Sequence, residues 1–296
     1  MSVLAEFSEA LANAVAASSK IVARVEGRRR LPASGVIWAG DVVVTAHHVL
    51  DDGEEVRVGL FDGRNVPAML VGSDPSTDLA VLRVRGESLT VGVFEGLNDL
   101  KVGHIVLALG RPGKTVQATM GIVSAFGEAW RTPMGGKIDH YLQTDLNMYP
   151  GFSGGPLVDT EGRILGINTS GLVRGSSVAV PTPTVKRVVE AILAHGKVRR
   201  GYLGIGVYPV RLPESLSRSL GQETGLLINS VETGSPADRG GLMLGDIVTK
   251  LDETPTRMPD DLIGFLAGDR IGLHAQITVV RAGQVSEARI AIGERN

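Results

Sequence analysis

The sequence predicts a mainly β protein, an all-β double barrel followed by a second, smaller domain, and three observations predict it. Short apolar runs closed by glycine, aspartate or proline recur from Lys20 to Pro181. Glycine is abundant at 39 residues while aromatics make up only 4% of the chain, which suits many short strands and tight turns. One clear helical stripe and a basic tetrapeptide then separate this region from a further set of strands. With 296 residues and 43% apolar content, the chain has ample core for two domains.

Residues 1–17 do not read as a signal peptide, because Glu6 and Glu9 fall where a positive start and an apolar centre belong. Leu4, Phe7, Leu11 and Val15 recur at helical spacing and predict a short amphipathic helix over 2–17. A first strand follows at 20–25, then a basic turn containing Arg28, Arg29 and Arg30, read as a solvated face. Strands are expected at 35–38, 42–46, 55–60, 65–72, 79–84, 105–109, 115–126, 141–144, 156–158, 164–170 and 177–181. Thr182 as N-cap with Pro183 in the first turn opens a helix. Val185, Val188, Val189, Ile192 and Leu193 give it one apolar stripe, and Gly196 stops it. Lys197-Val198-Arg199-Arg200 reads as a linker, so the domains are expected at residues 1–197 and 201–293. In the second, strands are expected at 225–231, 278–281 and 289–292, with helices opening at Ser235-Pro236 and over 259–266.

The chemistry centres on Gly151-Phe152-Ser153-Gly154-Gly155-Pro156-Leu157. A serine among glycines sits in a tight turn where backbone N–H groups converge, as acyl transfer requires of a nucleophile and its oxyanion donors. Upstream, Thr45-Ala46-His47-His48-Val49 delivers histidine at the end of an apolar strand, and Asp74-Pro75-Ser76-Thr77-Asp78-Leu79 introduces another. A serine hydrolase needs a base for the hydroxyl proton and a carboxylate to orient that base. The order His, Asp, Ser is that of the chymotrypsin-like double barrel. In the second domain, Gly201-Tyr202-Leu203-Gly204-Ile205-Gly206-Val207 is either an ordinary glycine-containing strand or a loop whose free N–H groups capture a peptide C-terminal carboxylate. The short helix and the Gly240-Gly241-Leu242 and Gly245-Asp246 signals that follow favour the second.

Other classes find little support. A net charge of −2 gives no reason to expect nucleic acid or an anionic membrane. Without cysteine there is neither a disulfide nor a thiolate zinc site. No metal cluster or cofactor fingerprint is present, and Gly204-Ile205-Gly206 is too short to be one. No apolar run approaches the ~20 residues that span a bilayer, so no transmembrane segment is expected. The cytoplasm is the expected compartment, or the periplasm if a leader has been removed.

These motifs together resemble the HtrA/Deg serine proteases, a trypsin-like domain followed by one PDZ domain, over about residues 21–292. The resemblance implies a chymotrypsin-like double six-stranded β-barrel and a small α+β PDZ domain. It implies Ser153 as nucleophile, His48 as general base and Asp78 as its orienting acid, with Asp74 the weaker candidate and Asp159 a hairpin residue. His47 is expected on the opposite strand face from His48. Gly151, Phe152 and Ser153 should form the oxyanion hole, with N–H donors from Gly151 and Ser153 foremost. Phe152 lies between them where relatives carry a small polar residue, and its ring is expected to narrow the primed side or turn the neighbouring peptide. The Asn147-Met148-Tyr149-Pro150 segment suggests preference for aliphatic P1 side chains. Tyr202, Leu203, Gly204 and Ile205 match the carboxylate-binding loop of the PDZ domain. Arg131, within 127–137, matches a regulatory sensor loop. The resemblance also implies degradation of unfolded polypeptides in protein quality control, hydrophobic C-terminal peptides as PDZ ligands, and a homotrimer; Phe7 and its helix either contribute to that trimer or pack on their own barrel. The alternatives are a catalytically weak or inactive PDZ chaperone or adaptor on a protease barrel, and a small-ester hydrolase.

Overall fold

A computed structural model describes residues 2–28, 31–51, 53, 55–85, 89–94, 97–173, 175–266 and 270–294. Arg29 and Arg30 of the expected basic turn lie outside these. The chain divides into two compact units, Met1–Val198 and Arg199–Asn296.

The first unit holds two closed barrels. Strands β1 (Val22–Glu26), β2 (Ala33–Ala39), β3 (Val42–Ala46), β4 (Val56–Gly59), β5 (Asn65–Asp74) and β6 (Leu79–Val84) close in the order β1-β2-β3-β6-β5-β4. After them come β7 (Ile105–Gly110) and β8 (Gln117–Gly127), then a separate hairpin of β9 (Trp130–Arg131) and β10 (Lys137–Ile138). With β11 (Tyr141–Thr144), β12 (Pro156–Val158), β13 (Ile164–Thr169) and β14 (Ser177–Pro181), the second barrel closes as β11-β14-β13-β12-β7-β8.

Burial explains why β3 and β6 read as continuous apolar runs. Val43 and Leu82 fill the first barrel beside Val25 and Val58. Val42, Val44, Leu79 and Val81, on the opposite face, enter a second cluster with Leu107, Leu109, Val158 and Ile167 of the other barrel. A strand buried on both faces loses its alternation. Each such fully buried aliphatic side chain contributes about 1.5–3 kcal/mol, so the inter-barrel layer holds the two halves in register.

Helix α1 (Val3–Ser19) is capped by Ser2. Its second half packs Leu11, Ala14 and Val15 on the inter-barrel cluster, while Val3, Leu4 and Phe7 remain exposed. Helix α2 (Thr182–His195) covers the same cluster with Val185, Val188, Val189 and Ile192. Gly196 ends it in the left-handed region. The expected threonine cap is corrected: Pro181 holds the N-cap position and Thr182 is already helical. Its hydroxyl donates instead to Ile164 O at 3.1 Å.

In the second unit, β15 (Gly201–Tyr202) pairs with the last strand, β22 (Gly293–Glu294). The main sheet runs β16 (Ile205–Arg211), β17 (Thr224–Val231), β18 (Ile247–Leu251), β20 (His274–Arg281), β21 (Gln284–Ala291), with β19 (Thr254–Pro255) on β18. Helices α3 (Glu214–Leu220), α4 (Pro236–Arg239) and α5 (Pro259–Phe265) complete it. The last two sheet strands are longer than expected because Ala282 and Gly283, both with positive φ, form a tight hairpin turn. Just before β18, Asp246, 1% exposed, accepts from Arg281 Nε and Nη2 at 2.8 and 2.7 Å and from Met243 N–H at 2.8 Å.

Burial pushes the Asp246 carboxyl up, but Arg281 and the Met243 N–H outweigh it and hold the group below its ordinary 3.8. A lowered folded pKa contributes stability above the unfolded value that is lost as pH falls through the folded one. Asp246→Asn should therefore weaken the second unit by about 2 kcal/mol at pH 7, with a smaller difference from wild type below pH ~4. Hydrogen exchange at β18 and β20 amides measures this, and an equal difference at both pH values contradicts it.

Candidate active site

Strand β3 ends at Ala46 and the chain tightens into a 3-10 turn, His47–Val49. Strand alternation therefore does not separate His47 from His48, correcting that expectation. His47 N–H instead donates to Asp78 O at 3.0 Å. His48 N–H donates to Asp78 Oδ1 at 2.9 Å, and its Nδ1 lies 2.7 Å from Asp78 Oδ2. Asp78 is 4% exposed and holds φ 55°, a left-handed conformation that aspartate tolerates better than most residues. A third donor arrives from the other barrel: Thr169 Oγ1 bonds Asp78 Oδ2, and Gly171 N–H donates to Thr169 Oγ1 at 2.9 Å. A carboxylate so held keeps the Nδ1 proton and leaves Nε2 as the basic nitrogen. Asp74 accepts from Ser76 N–H, Ser76 Oγ and Thr77 Oγ1, as a turn former does. Asp159 likewise organises its own hairpin, accepting from the Glu161 and Arg163 N–H groups.

The serine loop follows a turn in which Phe152 N–H donates to Tyr149 O at 3.1 Å and Gly151 holds φ 91°. Proline then glycine in the central positions is the signature of a type II turn. A Cβ on Gly151 would lie 2.5 Å from Pro112 Cβ, so glycine is required for space as well. Gly154, at φ 86°, sits against β2 and β3, where a Cβ would lie 2.1 Å from Ser34 O and 2.4 Å from Thr45 Oγ1. This close approach sets the serine beside the histidine turn. Ser153 Oγ lies 3.2 Å from Ser170 Oγ, its hydrogen-bond partner among the described residues.

Among the described residues, the N–H groups of Gly151 and Ser153 have no acceptor, leaving two donors for an oxyanion. Phe152 differs, and two expectations about it are corrected. Its N–H is committed to Tyr149, so it is no free donor to the hole. Its ring is fully buried in the second barrel with Val106, Ala108 and Leu157, so it does not narrow the primed side. Thr169, Ser170 and Ser34 were not singled out by the sequence; single hydroxyls inside a β-strand, as at Ser34 and Thr169, or just past its end, as at Ser170, carry no distinguishing pattern.

Arg131 lies on the β9–β10 hairpin and donates to Gly135 O at 3.1 Å. The same hairpin reaches the turn before Asp78, where Thr132 Oγ1 donates to Ser76 O at 2.7 Å. In the second unit, Leu203 is buried and Gly204 holds φ 81°, with a Cβ there meeting Ser235 Cβ at 2.2 Å. Among the described residues the Leu203 and Gly204 N–H groups have no acceptor. Tyr202 Oη bonds Glu232, and Ile205 opens β16, the edge strand of the sheet, beside α5.

Comparison with known proteins bears on both units. The trypsin-like peptidase domain family matches residues 33–167 and the PDZ domain family residues 201–292. The protein named "Probable periplasmic serine endoprotease DegP-like" of Ectopseudomonas mendocina is 37% identical over 277 residues, covering 90% of this chain and 58% of its own. Its namesake in Rhizobium meliloti is 37% identical over 282 residues, covering 91% and 55%. The chain thus spans little more than half the length of these curated relatives. Among solved structures, the HtrA-type protease AlgW with decapeptide shares 32% identity at a TM-score of 0.79, covering 97% of this chain and 99% of that one. The serine endoprotease from Yersinia pestis shares 32% identity at 0.78, covering 97% and 98%. Among the described residues no helix is long and apolar enough to cross a membrane.

Either hydroxyl can donate in the Ser153–Ser170 contact, and when Ser153 does, its proton is withheld from His48. One neutral hydrogen bond is worth about 0.5–1.5 kcal/mol, so Ser170→Ala should raise the rate of fluorophosphonate labelling about two- to tenfold. A stopped assay of adduct against time measures it, and an unchanged or slower rate contradicts it.

Proposed function

The chain belongs to the HtrA-type serine proteases, a trypsin-like peptidase domain joined to one PDZ domain, and from that premise we propose that it is an endopeptidase of unfolded polypeptides regulated or supplied through its PDZ domain. The observation that carries this reading is the shared Asp78 carboxylate, which receives His48 and Thr169 together beside a serine loop with two unspent N–H donors. In the proposed cycle, Ser153 Oγ attacks the substrate carbonyl while His48 Nε2 takes its proton. The oxyanion meets the Gly151 and Ser153 N–H groups. The C–N bond then breaks, the leaving nitrogen takes the proton from His48, and water repeats the sequence to free the acid and Ser153. None of these steps requires a cofactor.

Capture of a hydrophobic C-terminal peptide at Tyr202, Leu203, Gly204 and Ile205 has three supports. They are the unspent N–H groups of Leu203 and Gly204, the open edge of β16, and the decapeptide named with AlgW. Arg131 and its hairpin are proposed to respond to that peptide, which requires tighter peptide binding to the active arrangement. The exposed Val3, Leu4 and Phe7 of α1 support self-association as a trimer. The relatives' names carry the word periplasmic, which favours the periplasm over the cytoplasm expected from the sequence.

Degradation of unfolded casein tests the reading, with wild type and Ser153→Ala side by side, each with and without a hydrophobic C-terminal peptide, after light scattering of the same samples. The expected result is a trimer, cleavage only by wild type, a faster rate with peptide, and fragments ending in aliphatic residues. Equal cleavage by both proteins, or by neither, contradicts the endopeptidase; a rate indifferent to peptide contradicts the regulation, and fragments ending in Lys or Arg the P1 preference.

A further inference from the structure

The serine loop is gripped by a residue of the other barrel. Ser34, in β2, is fully buried, and each of its polar groups is used. Its Oγ accepts from Arg111 N–H at 2.7 Å and lies 2.7 Å from Gly151 O, to which it donates. A hydroxyl has one proton, so accepting from Arg111 commits that proton to Gly151. Ser34 N–H donates to Ser153 O at 3.1 Å, and Ser34 O accepts from Thr45 Oγ1 at 2.7 Å, just before the histidine turn. The carbonyls on either side of Phe152, those of Gly151 and Ser153, therefore both end on Ser34.

The arrangement is anchored behind Ser34 as well. Arg111 is 3% exposed, and its guanidinium donates to Val22 O at 2.7 Å, Ser19 O at 2.8 Å and Lys114 O at 2.9 Å. The end of β7 is thus fastened to β1 and to the end of α1, so the N–H that Arg111 offers Ser34 is itself fixed. Among the described residues, Gly151 and Ser153 are also the loop residues whose own N–H groups find no acceptor. With their carbonyls pinned and Phe152 N–H tied to Tyr149, those two N–H groups are, among the described residues, the donors the loop leaves free.

We propose that Ser34 is a positioning residue for the hydrolytic site, its hydroxyl clamping the Gly151 carbonyl so that the Gly151 and Ser153 N–H groups stay aimed at the developing oxyanion. The proposal rests on the endopeptidase reading. Ser34 touches no substrate and acts only through the loop. Its removal should therefore be felt in the transition state and not in substrate binding.

The test compares Ser34→Ala, which removes the donor, Ser34→Thr, which keeps it, and Ser34→Cys, which fills the space with a weak one. Each full chain is measured for kcat and KM on one peptide substrate and for the second-order rate of fluorophosphonate labelling, with near-UV circular dichroism to establish folding. Ser34→Ala should lower kcat and labelling about tenfold or more at unchanged KM, since losing an oxyanion donor outright costs ~100-fold or more. Ser34→Thr should restore both rates. If Ser34→Ala does not fold, Ser34→Cys should fall short of Ser34→Thr by a similar factor. A folded Ala or Cys variant that labels at the wild-type rate, or a loss confined to KM, overturns the proposal. Wild type that fails to label overturns the endopeptidase reading, and this proposal with it.

Discussion

Everything in the first unit converges on one buried carboxylate. Asp78 takes two hydrogen bonds from His48 in the first barrel and one from Thr169 in the second. Its full set of donors is thus complete only when the barrels are together. A buried carboxylate left short of donors is costly, so the inter-barrel packing of Val42, Val44, Leu79 and Val81 against Leu107, Leu109 and Ile167 also serves the chemistry. The left-handed backbone at Asp78 fits the same account. It is one of three non-glycine residues with positive φ among those described, and only here does the side chain reach the histidine.

The serine side obeys the same rule from the opposite direction. Gly154 has no room for a Cβ because Ser34 and Thr45 of the first barrel lie against it. Phe152 turns its ring into the second barrel's core, so the one large residue of the loop anchors it from within. The loop is therefore held by packing on one side and by polar contacts on the other, and among the described residues the N–H groups of Gly151 and Ser153 find no acceptor.

Much of this was legible in the sequence where a residue type has few alternatives. Serine within Gly151–Leu157, histidine after an apolar strand and aspartate before one left little choice of chemistry, and their order matched one barrel topology. Strand existence in the two barrels was legible because glycine, aspartate and proline close each run, and ends there shifted by a residue or two. Contacts made by common residues were not legible. Thr169 and Ser34 are hydroxyls in strands, and only the closed barrels bring them to Asp78 and Gly151. The histidine turn was missed by extending strand alternation past Ala46, where the backbone changes conformation. Helix α3 was missed because none of its residues is buried and its apolar residues form no core-facing stripe.

The central claim is that two barrels assemble one activated serine, Ser153, and that the neighbouring hydroxyl of Ser170 is not the nucleophile. Mass-spectrometric mapping of the fluorophosphonate adduct on the full chain, with and without His48→Ala, tests it most directly. The account predicts one adduct, on Ser153, that the His48→Ala protein does not form. An adduct on Ser170, or equal labelling without the histidine, would contradict it.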